Sequence, residues 1–378
     1  MKQILFLRES TNNLGGIEKQ VCLIAKELYQ KRISNPVLAT SSVKSNFAER
    51  FKEMGFPVYE VPMNRTGIIS CANKVDKIIK NHKIDIIQSH MFFESFIGRL
   101  AHFRHPGIKH VFRAHTYIDC SWIPRWKKNL YHLVDKLTSN YVDRYVCISH
   151  DIHSELISKS LIPDKKISIL PNATLKIGDP DAEVNNLGVF LPAKIAMISN
   201  ISPHKGHEVI IRSLGILKNK GISVNVRFIG KFTTEDKNDL SNNLMNKLTN
   251  QAGKLGVLTQ LDFFGFTNDI YKAIKDYPII ILPSDSEGLP NCILEALSLR
   301  KLVIASKVGG VPEIINNGVN GILHAPQDSP ALASILEDIF RNPAYKWEPI
   351  RNNGYRTWLE KFTVDRMIDG FNEIYNCL

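Results

Sequence analysis

No run of apolar residues in this chain approaches the ~20 needed to cross a bilayer. The opening M-K-Q-I-L-F-L-R is too short an apolar stretch for a secretory leader, and Lys2–Arg8 reads better as a first β-strand. The six cysteines (Cys22, Cys71, Cys120, Cys147, Cys292, Cys377) are scattered and form no C-x-x-C. Such spacing argues against a disulfide frame and a zinc site, and fits a reducing compartment. G-x-G-x-x-G is missing after the first strand, so the dinucleotide fingerprint is absent. Low-complexity tracts and visible internal repeats are lacking too. Acid is scarce in one half only. Residues 1–172 hold 26 Lys and Arg against 15 Asp and Glu, while the rest holds 22 of each, so the whole net charge of +11 lies in the first half. A basic half implies an anionic partner, namely a phospholipid surface, a pyrophosphate-linked lipid or nucleic acid, or else serves solubility alone. No nucleic-acid-binding module accompanies it.

What is present is a long alternation of apolar strands and amphipathic helices across 378 residues, enough for two domains with their own cores. Such alternation predicts parallel, helix-covered sheets with sites at the carboxyl ends of the strands. In the first half, Gly16, His90, His115 and Ser149 fall at such ends. Two histidines at successive strand ends predict a polar pocket, although a lone buried histidine is more often structural. Gly15 and Gly16 sit between the first strand and a helix, where a phosphate cradle and an ordinary turn are both possible readings.

The richest stretch is Pro283–Leu297, P-S-D-S-E-G-L-P-N-C-I-L-E-A-L. An apolar strand, Tyr277–Leu282, runs into a polar turn and then a helix start near Pro290. Backbone N–H groups and the helix dipole at such a junction favour an anion. Glu287 and Glu295, seven residues between them, suit the vicinal hydroxyls of a sugar, while the amides at Gly288, Leu289 and Asn291 suit phosphate. Acids decorating a helix N-terminus are also common without any ligand. Ser121–Leu137 sets Trp122, Trp126, Leu130 and Tyr131 beside Arg125, Lys127 and Lys128. It reads either as a membrane-interface segment or as a core helix with a solvated basic face. Residues 171–192 are rich in turn formers and read as a linker, and their Asp179-Pro180-Asp181 lacks the strand a D-x-D metal pair needs.

Taken in order, Gly15-Gly16-Ile17-Glu18, Lys205-Gly206, Gly230, Glu287-x7-Glu295 and Gly309-Gly310-Val311-Pro312-Glu313 resemble glycosyltransferase family 4, the retaining, sugar-nucleotide-dependent enzymes of the GT-B fold. The resemblance covers nearly the whole chain and is strongest over residues 195–325. It implies two Rossmann-like domains with parallel sheets facing a central cleft. The acceptor domain would be 1–172, the linker 173–192, the donor domain 193–360, and a last helix, 361–378, would cross back to the first domain. It also implies roles. Glu295 takes ribose hydroxyls, Glu287 a sugar hydroxyl, and Lys205 the pyrophosphate. Gly15 and Gly16 let the first loop approach that pyrophosphate, and His115 lies near the reacting centre. Gly230 and the helix start Gly288-Leu289-Pro290-Asn291 complete the donor site, with Phe266 near the base. The expected catalytic set is therefore His115, Lys205 and Glu287, with a UDP- or GDP-sugar as co-substrate and no metal or other cofactor.

The basic half and the tryptophan–lysine stretch point to a lipid-linked glycan acceptor of O-antigen, capsule or exopolysaccharide synthesis. Trp122, Arg125, Trp126, Lys127 and Lys128 would then meet an anionic membrane on its cytoplasmic face. A GT-B enzyme with a soluble small acceptor, and a non-catalytic sugar-nucleotide-binding protein, are the alternatives. Two departures stand out. Asn200 occupies the place of the arginine in the family's R-x-x-x-x-K, leaving Arg8, Arg113 and His204 as candidate replacements, and Gly230-Lys231-Phe232 replaces G-x-G.

Overall fold

The computed structural model describes residues 1–10, 14–63, 67–115, 124–178, 193–231 and 240–378, with backbone alone at 240–242. Trp122, Asp179 and Asp181 lie outside them. The chain divides into two compact units, Met1–Ala173 with Val364–Leu378, and Thr174–Thr363.

The first unit runs β1 (Lys2–Leu7), α1 (Gly16–Gln30), β2 (Ser34–Thr40), α2 (Asn46–Glu53), β3 (Val58–Glu60), α3 (Ile68–His82), β4 (Ile86–His90), α4 (Phe92–Arg104), β5 (Lys109–Ala114), α5 (Arg125–Thr138), β6 (Arg144–Cys147), α6 (His150–Ser158) and β7 (Ile167–Ile169). Its seven strands are parallel and ordered β3-β2-β1-β4-β5-β6-β7. Successive residues of β1 feed opposite faces of the sheet, as the two-residue period of a strand requires. Ile4 and Phe6 join a core with Val21, Ile24 and Phe51, whereas Leu5 and Leu7 join one with Val75, Ile79 and Ile97.

The second unit runs β8 (Lys194–Ile198), α7 (His207–Asn219), β9 (Asn225–Ile229), α8 (Leu240–Lys254), β10 (Leu261–Gly265), α9 (Ile270–Ile274), β11 (Ile279–Leu282), α10 (Asn291–Ser298), β12 (Leu302–Ser306), α11 (Val311–Ile314), β13 (Ile322–His324), α12 (Ser329–Arg341) and α13 (Glu348–Lys361). The six parallel strands are ordered β10-β9-β8-β11-β12-β13. The last helix, α14 (Val364–Asn376), returns to the first unit, where Met367, Ile368 and Phe371 pack with Phe6 and Val21.

In each sheet the strand order turns back once, between β1 and β4 and between β8 and β11. Loops leaving such neighbours part to opposite faces and open a crevice at the carboxyl edge. Lys205, Gly230 and Glu287 follow strands of the second sheet at its carboxyl edge, and His90 and His115 close strands of the first.

One expectation needs correcting. α5 is not a core helix with a solvated basic face. Its inner face is polar, with His132 and Asp135 buried, Asp135 held by Arg99 and His132 by Ser160. Its outer face carries Trp126, Leu130, Leu133 and Leu137, each 47–69% exposed. Spaced four, three and four apart, these four side chains form one helical stripe.

Candidate functional site

In the second unit the site is built from loops at the carboxyl edge. β11 is fully buried Ile-Ile-Ile-Leu, so its end is fixed by the core. The turn that follows folds Glu287 back. Its Oε1 accepts from Lys205 Nζ at 2.7 Å and from Ser284 Oγ at 2.7 Å. Lys205 comes from the loop after β8, so this ion pair spans the switch point. The backbone adds a second stitch between the same loops, for the Asp285 N–H donates to the His204 carbonyl at 2.8 Å. Glu295 lies one turn into α10, and it and Glu287 both act on the Cys292 thiol. That thiol is pushed up by burial first and by the two carboxylates next, with Lys205 opposing them. Lys205, Glu287 and Glu295 thus all act on the same thiol.

The glycines explain how the loops come so close. Gly206 has φ +77°, and a Cβ there would stand 2.0 Å from the Pro283 carbonyl oxygen. Any side chain would push the lysine loop off the glutamate turn. Gly206→Ala should therefore lower stability by about 2–3 kcal/mol, the cost of a strained left-handed residue with a backbone clash. Thermal unfolding reads it directly, and an unchanged melting temperature would sink the account. At Gly230 a Cβ would lie 2.3 Å from the Ser199 carbonyl oxygen, so that glycine keeps the β8 and β9 loops together.

Further stitches bring in the neighbouring strands. The Gly310 N–H donates to the Gly288 carbonyl, which ties the Gly309-Gly310 turn to the start of α10. Leu289 and Pro290 are buried there, and Asn291 opens the helix half-buried. Asn200, where the family pattern has arginine, is exposed and accepts from the Lys231 backbone N–H through Oδ1 at 2.8 Å. It holds the loop that carries Lys231 rather than presenting a charge itself. Phe266 is exposed just after β10, three strands from β11, roughly 14 Å along the sheet edge.

In the first unit, Gly15 and Gly16 start α1, with Gly16 exposed. Arg8 follows β1 and donates to Glu18 and Glu94 at 2.6 and 2.9 Å, and Glu94 Oε1 also accepts from the Glu9 N–H. Arg8 is thus ion-paired with two carboxylates, as Lys205 is with Glu287. Arg113 is fully buried against Met367, Asn172 and the Phe371 ring. His204 bonds Ser202 and is held toward its neutral form by burial and by Lys205.

His115, closing β5, is buried and pairs with His90 at the end of β4, Nδ1 of His90 lying 2.8 Å from Nε2 of His115. Burial is the first cause, and Arg113 and Arg8 further causes, that hold both imidazoles well below the usual histidine range. His115, Arg8 and Glu94 line a cavity of about 550 Å³ whose other walls include Phe92, Phe96, Trp126 and Tyr131. The Tyr131 ring packs on Phe92 at 4.4 Å, and Lys127 lies over the Trp126 ring at 5.3 Å. Arg125 and Lys128 belong to the same first turns of α5.

Sequence reasoning missed Ser284, Glu94 and the pairing of His90 with His115. The serine stood in view within P-S-D-S-E, but only the fold shows that it supports Glu287.

Residues 14–174 match the description Glycosyltransferase Family 4, and residues 191–357 match Glycosyl transferases group 1. The chain is 24% identical over 312 residues to the UDP-Gal:alpha-D-GlcNAc-diphosphoundecaprenol alpha-1,3-galactosyltransferase of Escherichia coli, covering 79% of this chain and 77% of that one. It is 23% identical over 254 residues to the capsular polysaccharide biosynthesis glycosyltransferase CapM of Staphylococcus aureus, covering 65% and 64%. Among solved structures, Anabaena HepE in complex with UDP-glucose superposes with a TM-score of 0.84 at 22% identity, covering all of both chains. That likeness extends to the two parallel-sheet units and identifies the GT-B fold.

Proposed function

The chain belongs to glycosyltransferase family 4, and from that premise we propose that it moves a sugar, with retention, from a UDP- or GDP-sugar to a lipid-linked glycan in cell-surface polysaccharide synthesis. The observation that carries the donor half is the Lys205–Glu287 pair across the β8/β11 switch point, with Glu295 one turn into α10. Breaking the sugar–phosphate bond leaves a nucleoside diphosphate, so positive charge is needed where that leaving group gathers electrons. Lys205 and the N-terminal dipole of α10 meet this need in our reading, and no metal ion is required. Glu287 then holds a sugar hydroxyl and Glu295 the ribose.

The acceptor hydroxyl approaches on the face from which the diphosphate leaves. The bond from the anomeric carbon to the diphosphate breaks, and a bond to the acceptor oxygen forms on the same side. The acceptor's proton passes to a diphosphate oxygen. No side chain serves as nucleophile, and His115 binds near the reacting centre.

The acceptor half rests on the first unit. Its cavity is walled by aromatic rings and bordered by α5, whose exposed stripe of Trp126, Leu130, Leu133 and Leu137 runs beside Arg125, Lys127 and Lys128. Apolar side chains with lysines and arginine at their flank suit an anionic lipid surface. Among the described residues no helix is long and apolar enough to cross a membrane, so contact would be peripheral. The E. coli relative is named for an acceptor on diphosphoundecaprenol and the S. aureus one for capsule synthesis, which supports the same class here.

A thermal-shift screen of UDP-, GDP- and ADP-sugars should find one nucleotide that raises the melting temperature, because a ligand at 100 times its Kd adds about 2.7 kcal/mol to the native state. With that donor, labelled sugar should pass to a polyprenyl-pyrophosphate-linked saccharide in the presence of a chelator. Transfer only to a free small acceptor would overturn the lipid part. Loss of all transfer on chelation would overturn the metal-independent part.

A further inference from the structure

Three buried side chains link the last helix to His115. The Tyr375 hydroxyl, on α14, bonds Oε1 of Gln88. Nε2 of Gln88 lies 3.1 Å from Nε2 of His90, and Nδ1 of His90 lies 2.8 Å from Nε2 of His115. Tyr375, Gln88 and His90 are wholly buried. The His90 and His115 rings lie nearly parallel and edge to edge, their centroids 5.1 Å apart, and Phe6 packs near-parallel to the His90 ring with centroids 6.1 Å apart.

The direction of these bonds is set at the Gln88 carboxamide, whose oxygen accepts from the Tyr375 hydroxyl. With its oxygen thus occupied, the Gln88 carboxamide presents its NH₂ to Nε2 of His90, which must accept. A neutral imidazole carries a single hydrogen, so that of His90 sits on Nδ1 and is donated to Nε2 of His115. The hydrogen of His115 is then on Nδ1, the ring nitrogen that His90 does not engage.

We propose that Tyr375, Gln88 and His90 are positioning residues that fix His115 as the Nδ1–H tautomer, so that it acts in the transfer as a hydrogen-bond donor. The donor role rests on the glycosyltransferase reading above, whereas the tautomer does not. A hydrogen-bond partner on one ring nitrogen sets which nitrogen of a histidine carries the proton.

Long-range ¹H–¹⁵N spectra of the ring nitrogens, taken on the full chain, distinguish bare from protonated positions whatever the activity. In the parent, Nδ1 of both His90 and His115 should carry hydrogen and both Nε2 atoms should be bare. A hydrogen on Nε2 of His115 overturns the proposal. Tyr375→Phe frees the Gln88 amide to turn over, which should shift hydrogen onto Nε2 of His115 and lower kcat at least about tenfold with the donor KM unchanged. His115→Gln should lower kcat as well, and Tyr375→Phe should add nothing in that background. Either an unchanged kcat or an unchanged tautomer in Tyr375→Phe, once its fold is verified by circular dichroism, overturns the relay. Should no sugar donor be turned over at all, the proposed function fails while the spectra still decide the tautomer.

Discussion

Replacing Lys205 with alanine should cut kcat by about 10²–10³-fold, the usual loss when one preorganised group facing a developing negative charge is removed. Lys205 Nζ is held at 2.7 Å from Glu287 before any donor arrives, and Gly206 fixes the loop behind it against Pro283. The charge is therefore in place without reorganisation when the diphosphate leaves. The ammonium is partly solvated, at 24% side-chain exposure, so its worth lies in the reaction more than in stability. Glu287 keeps Ser284 as a partner when Lys205 is gone, which protects the turn. The effect should fall on kcat and kcat/KM together, the signature of an interaction made in the transition state. Glu295→Ala should differ in kind, raising the donor KM by an amount equivalent to about 1–3 kcal/mol because a charged hydrogen-bond partner of the bound donor is lost. Steady-state and single-turnover rates separate the two cases. Near-normal turnover in Lys205→Ala would remove the lysine from the mechanism.

Much of this was legible in the chain. Buried parallel strands are apolar along their length, so Ile279–Leu282 and Leu302–Ser306 announced themselves, and with them the edges where sites lie. Glu287 and Glu295 could be picked out from the stretch that follows Leu282, whereas Lys205 entered through the family resemblance. What stayed hidden depends on contacts distant in sequence. The inverted polarity of α5 follows from Arg99, 36 residues before the Asp135 it holds. The short α6 went unremarked, and so did α13, which has Pro349 at its start and weak periodicity. It is held by Arg351 donating to the Arg300 carbonyl and by Thr357 accepting from Asn320. The neutralisation of Arg8 by Glu18 and Glu94 joins β1, α1 and α4, and no local pattern encodes that meeting.

Below about pH 6 the protein should lose stability. Burial holds His207 in that unit and His110 in the first down to about 3. A histidine with its folded value depressed binds fewer protons folded than unfolded. Stability therefore falls as pH drops from the unfolded value of ~6.5 toward 3 and is fully present above that window. At pH 4.5 each such group has lost roughly 2–3 kcal/mol, at 1.36 kcal/mol per unit. The first unit carries opposing groups, for burial raises the Glu94 and Asp135 carboxyls despite their arginines, and protonating those favours the fold. In the second unit His204 and His324 are depressed by burial as well. His207 isolates the effect. Both its ring nitrogens are buried without a hydrogen-bond partner among the described residues, and its ring packs on Phe228 at 5.3 Å. His207→Leu should thus be nearly neutral at pH 7.5 and recover about 2 kcal/mol at pH 4.5. Urea unfolding at the two pH values measures both quantities. Equal stability of the parent at pH 7.5 and 4.5, or a His207→Leu variant as acid-labile as the parent, would contradict the assignment.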